Sequence, residues 1–124
     1  MEDATREPAP DATWDAYARR RELAYQVTSD GTPVFRPRVG AAVAWAISRG
    51  RGTVYATTTV RPRGAEPYDL TLVELDEGFR MMSHVVGVAP EDVRIGQRVV
   101  LEWEDREGED AVPVPVFRLD EDAS

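Results

Sequence analysis

Ser48-Arg-Gly-Arg-Gly-Thr-Val-Tyr-Ala-Thr-Thr-Thr-Val60 decides how the rest of this chain is read. Two arginines alternate with two glycines, and a run of β-branched residues follows at once. Glycine-rich loops that grip phosphate lead from a strand into a helix N-terminus, where free backbone N–H groups point at the anion. Here the loop leads instead into Thr53–Val60, whose side chains favour a pleated strand. The stretch therefore reads as a β-strand entry, with Gly50 and Gly52 as a flexible exit from whatever precedes them.

Working outward, the downstream text stays β. Leu70–Asp76 runs into the turn Asp76-Glu77-Gly78, and Arg80–Val86 answers it as a hairpin partner. Gln97–Glu104 alternates, with Val99, Leu101 and Trp103 on one face and only Val100 breaking the pattern. Val112–Leu119 is a last strand, expected at an edge because Pro113 and Pro115 donate no ladder hydrogen bond. Ala89–Val93 reads as one helical turn. Five short strands, with a small helical insert between the third and fourth, describe a mainly β fold, a five-stranded OB-fold Greek-key barrel over residues 48–119. An SH3-like barrel or half a sandwich fits the bare pattern nearly as well.

Upstream, residues 1–10 read as a disordered arm and 11–25 as an N-terminal helix, with acids in its first turn and Arg19-Arg20-Arg21 near its end. Trp14, Tyr17, Ala18 and Arg21 form a narrow stripe on it, which packs either on its own domain or on a partner. Ser29–Pro33 is a turn, with extended pieces at Val34–Arg36 and Val43–Ser48. Residues 120–124 are an acidic tail.

Composition narrows the function. The 124 residues, 42% hydrophobic, suit one domain with a real core. No stretch approaches the roughly 20 apolar residues of a membrane span, and the acidic, Pro-rich start is unlike a secretory signal. With no cysteine, disulfides, thiolate zinc sites and cysteine nucleophiles are excluded, and a cytoplasmic location is expected. All 15 basic residues are arginine, so Schiff-base lysines and a P-loop lysine are excluded too. The net charge of −8 opposes nucleic-acid binding. A single-stranded nucleic-acid OB module is the alternative reading; it needs stacking aromatics beside a basic groove, and Tyr55 is the main aromatic near one. His84 is the only histidine, and Ser83 beside it in a strand points to the opposite face, so the two form no dyad. A stand-alone hydrolase or lyase built on His84 is the other rival. Glu74, Asp76 and Glu77 lie on or beside a hairpin turn and read as a solvated face.

Ser48-Arg-Gly-Arg-Gly-Thr-Val-Tyr55, Pro67-Tyr68 ahead of Leu72-Val-Glu-Leu-Asp-Glu-Gly78, and Val86-Gly87 with Pro90-Glu-Asp-Val-Arg-Ile-Gly96 stand in a characteristic order. Together with Trp14 and Arg21-Glu-Leu-Ala-Tyr-Gln26 they resemble the acyl-CoA-associated OB-fold family known as domain of unknown function 35, over about residues 12–119. The resemblance implies an N-terminal helix, a zinc ribbon and an OB-fold. It also implies a non-catalytic accessory subunit of a thiolase-like or lipid-transfer-protein-like enzyme acting on acyl-CoA in lipid or steroid metabolism, or a partner of a hot-dog-fold hydratase. The ribbon departs from the family. Its first knuckle falls on Val27, Asp30 and Gly31, and its second would lie between Arg38 and Trp45, where no ligand stands. Residues 26–47 are therefore expected to form a degenerate, metal-free ribbon hairpin steadied by an interface, with no zinc and no catalytic residue in this chain. Arg61 stands where the family often has a histidine. If acyl-CoA is shared with the partner, Arg49, Arg51, Arg61 and Arg63 are the expected phosphate contacts; Trp14, Tyr17, Tyr25 and Phe35 are the expected partner contacts.

Overall fold

The computed structural model describes residues 10–35, 44–108 and 111–121. The expected N-terminal arm apart from Pro10, residues 36–43 of the expected ribbon, and the expected acidic tail apart from Asp120 and Glu121 lie outside these.

Helix α1 runs Pro10–Arg19, six residues short of the expected end. Its stop is a Schellman turn: Glu22 N–H donates to Tyr17 O at 3.0 Å and Arg21 N–H to Ala18 O at 2.8 Å. That turn needs a left-handed residue, a role glycine usually fills. Arg21 fills it here at φ 59°, so the sequence carries no visible stop signal.

Tyr25, expected in the helix, lies in a strand. β1 (Ala24–Val27), β2 (Pro33–Val34) and β3 (Ala44–Ile47) form an antiparallel sheet in the order β2-β1-β3. Gln26 faces Val34 on one side and Trp45 on the other. The ribbon region is thus a three-stranded sheet that begins two residues earlier than the expected hairpin.

The second sheet comprises β4 (Arg51–Val60), β5 (Tyr68–Leu75), β6 (Arg80–Ser83), β7 (Val85–Val86), β8 (Arg98–Glu104) and β9 (Val114–Leu119). Its order is β6-β5-β4-β8-β9-β7, with a 3-10 turn at Pro90–Asp92. The ladder does not close by hydrogen bonds, but its two edge strands are separated in sequence only by His84. The sheet must therefore curl until those edges meet, which is the OB-fold arrangement with its third strand broken in two. Ser83 Oγ donates across the gap to Pro115 O at 2.9 Å. β9 is not the edge strand expected from its prolines. β8 pairs along all of it, and the two-residue β7 pairs in parallel only at Phe117 and Arg118, beyond both prolines.

Alternation puts Val54, Val73, Leu75, Met81, Val99 and Phe117 inside, all 4% exposed or less. Leu23, ahead of β1, joins the same core, so the two sheets share one interior. Gly50 and Gly52 are points of close approach rather than a flexible exit. A Cβ on Gly52 would sit 2.6 Å from Glu74 O, and Gly50, at φ +76°, would place one 2.7 Å from Leu101 Cβ.

Candidate functional site

The turn at the position expected for a first knuckle is held by side-chain hydrogen bonds. The Asp30 carboxylate accepts from the Thr28 hydroxyl and from Thr32 N–H, and Gly31 N–H donates to Thr28 O at 3.0 Å. Those donors hold the Asp30 carboxyl below its ordinary range, Thr28 contributing most. Val27 and Gly31 offer no ligand, Asp30 is already committed, and segment 36–43 contains no histidine, cysteine, aspartate or glutamate. Among the described residues no three histidine, aspartate or glutamate side chains converge. The residues present do not fit a structural zinc ion.

The four aromatic residues expected at a partner surface meet rings of their own chain. Phe35 stacks on Phe79 at 5.4 Å between centroids and meets Trp14 edge-on at 6.1 Å. Tyr25 lies 4.7 Å from Phe79, and Tyr17 lies 5.9 Å from Trp45. Phe79 follows the β5–β6 turn and is 4% exposed, so the barrel supplies the anchor on which helix and first sheet rest. Burial raises the Tyr25 hydroxyl pKa, helped by the Glu77 carboxylate. Glu77 also accepts from Ser48 Oγ at 2.7 Å and from Arg49 N–H at 2.8 Å, tying the Arg-Gly-Arg-Gly turn to the hairpin. Glu77, read from sequence as part of a solvated face, is thus a structural cap.

The four arginines fall into two pairs at opposite ends of β4. Its ten residues, at about 3.3 Å each, separate Arg49 and Arg51 from Arg61 and Arg63 by roughly 30 Å. No single phosphate meets all four. Arg51 pairs with Asp120 at 3.3 Å and Arg61 with Glu91 at 3.0 Å. Asp120, expected in the acidic tail, is also fixed by its N–H to Arg98 O at 2.9 Å. The Tyr55 ring needed for base stacking is covered on one face by the Arg80 guanidinium, 3.7 Å from its centroid.

His84 breaks the third barrel strand, and its Nδ1 lies 2.5 Å from Asp69 O. A carbonyl only accepts, so Nδ1 carries the proton. The buried Asp69 carboxylate takes Val85 N–H at 2.9 Å and Thr71 Oγ at 2.5 Å, satisfying the backbone at the break. Ser83 Oγ is committed to Pro115 O, so no nucleophile faces the imidazole from that side. Two adjoining hollows of about 500 and 210 Å³ meet at His84 and Arg106, along the seam between the ends of the sheet. Sequence reasoning missed Asp69: an aspartate in an inward strand position was the available signal.

A chain of the solved Ltp2-ChsH2(DUF35) aldolase superposes with a TM-score of 0.72 at 31% identity, covering 91% of this chain and 98% of that one. This chain belongs to the DUF35 family. The family model for the C-terminal OB-fold domain of ChsH2 matches residues 45–104. A probable enoyl-CoA hydratase alpha subunit of Thermomonospora curvata is 40% identical over 73 residues, 56% of this chain and 22% of the relative. A DUF35 domain-containing scaffold protein of Methanocaldococcus jannaschii is 40% identical over 55 residues, 40% of this chain and 39% of the relative. The DUF35 chain described here thus spans well under half the length of these curated relatives.

Proposed function

We propose that this DUF35 chain is a non-catalytic accessory subunit that docks onto and supports a thiolase-superfamily aldolase acting on acyl-CoA, in lipid or steroid metabolism and in the cytoplasm. The observation that carries the reading is the 98% coverage of a chain from a two-component aldolase. Two features of the site support it. His84 Nδ1 is spent on a backbone carbonyl and Ser83 is spent on Pro115, which leaves this pair without the base-to-nucleophile hydrogen bond that covalent catalysis needs. The ring cluster and Glu77 lock helix, first sheet and barrel into one body, as a scaffold requires. Adding the chain to the Ltp2 subunit of that aldolase should raise its aldolase turnover, while the chain alone turns over nothing. Turnover by the chain alone, abolished in His84→Ala, would reject the reading in favour of an enzyme.

A further inference from the structure

The outer face of β4, β5 and β6 has the wrong polarity for a surface left in water. Thr57 and Thr71 meet inside the barrel through their hydroxyls at 2.9 Å, which fixes the alternate residues as outward. Leu72 then stands between Ala56 and Met82 in one cross-strand row, Leu70 faces Thr58 in the next, and Tyr68 faces Val60 in the third. Tyr55, displaced by the β4 bulge, borders the first row. Met82 is 60%, Tyr55 46% and Tyr68 43% exposed. Antiparallel sheets with a solvated face alternate apolar-in and polar-out. Here the outward set over three consecutive rows is apolar except for Thr58, and such contiguous patches mark interaction sites.

We infer that this face is the surface on which the catalytic subunit docks; the inference rests on the accessory reading above. The occupant follows from the chain's likeness to a chain of the Ltp2-ChsH2(DUF35) aldolase, and charge counts against the others. At the near end of the face Arg80 is neutralised by Glu74 at 3.1 Å, and at the far end Arg61 by Glu91 at 3.0 Å. The surplus acids behind the net charge of −8 include Glu102–Asp110 and Asp120–Asp122, none of them on β4, β5 or β6. A second copy of the chain would bring the same −8, and an anionic membrane or nucleic acid would be repelled by it. Tyrosine, methionine and arginine around a charge-balanced centre match the make-up of a protein–protein interface core.

The test measures binding of the Ltp2 aldolase subunit to wild-type chain and to Met82→Glu and Met82→Leu variants, with thermal melts to check folding and sedimentation of each chain alone. The expected result is at least tenfold weaker binding for Met82→Glu, near wild-type binding for Met82→Leu, and unchanged melts. Equal binding by Met82→Glu overturns the docking face while leaving the accessory reading intact. Failure of wild-type chain to bind overturns both. A wild-type dimer that Met82→Glu dissociates would reassign the face to a second copy.

Discussion

Replacing Phe79 with alanine should show that the first sheet, whose residues do not fit a zinc ion, depends on the barrel. Phe79 is 4% exposed, tilted against Tyr25 at 4.7 Å and stacked on Phe35 at 5.4 Å. Truncating a buried phenylalanine costs about 3–5 kcal/mol through lost transfer energy and the cavity left behind. Within that sum, each ring pair accounts for about 0.5–1.5 kcal/mol. A 124-residue domain, at about 0.05–0.15 kcal/mol per residue, has roughly 6–19 kcal/mol in all. The loss is therefore a large fraction of total stability. Urea unfolding followed by tryptophan fluorescence measures it, since Trp14 and Trp45 both lie in or against the helix and first sheet. The single variants Phe35→Ala and Phe79→Ala should also couple by about 0.5–1.5 kcal/mol in a double-mutant cycle. Strict additivity within about 0.5 kcal/mol, or a loss for Phe79→Ala below about 1 kcal/mol, would refute the claim that the ring cluster holds the helix and first sheet to the barrel. Addition of zinc or a chelator should leave the unfolding curve of wild-type protein unmoved.

Gly52→Ala should cost about 1–3 kcal/mol, because its Cβ meets Glu74 O at 2.6 Å; Gly64→Ala, with nothing within 4 Å, is the strain-only control in the same urea series. Arg21→Gly should leave stability at wild type or slightly above, whereas Arg21→Val should lose about 2 kcal/mol, since a β-branched residue resists the left-handed conformation at φ 59°; thermal melts separate the two. Asp76 receives both guanidinium nitrogens of Arg98 at 2.8 Å, and that hydrogen bonding is the main reason its carboxyl lies below the ordinary range. A depressed carboxyl contributes stability above its unfolded value near 4 and loses it as pH falls through the folded value. Asp76→Asn should therefore be less stable than wild type at pH 7, by under about 1 kcal/mol because the pair is half-exposed, and should converge on it below about pH 3.

Much of the barrel was legible in sequence, for reasons visible residue by residue. Thr53–Val60 and Leu70–Leu75 declare themselves by β-branched content and by an Asp-Glu-Gly turn whose Gly78 sits at φ +106°. What stayed hidden depends on contacts distant in sequence or on a residue breaking a local rule. Arg21 occupies a glycine position, so the helix end was invisible. His84 interrupts a strand that reads as continuous, because only the Asp69 carboxylate, sixteen residues before Val85, makes the break tolerable. Pro113 and Pro115 suggested an edge, but the strand pairs on its far side only where the prolines have ended. Arg49 and Arg51 stand before the strand and Arg61 and Arg63 after it, but how far an extended strand separates the two pairs emerges only once its ten residues are in place. The aromatic residues signalled packing without naming a surface, and Phe79, the ring that organises them, lies more than forty residues beyond Phe35.

Physical association with a catalytic subunit is the central expectation for this chain. Sedimentation of the chain mixed with the Ltp2 aldolase subunit measures this directly. A single heteromeric species containing both proteins is expected, with aldolase turnover above that of Ltp2 alone. Two independent boundaries at the masses of the separate proteins, with turnover unchanged, would contradict it.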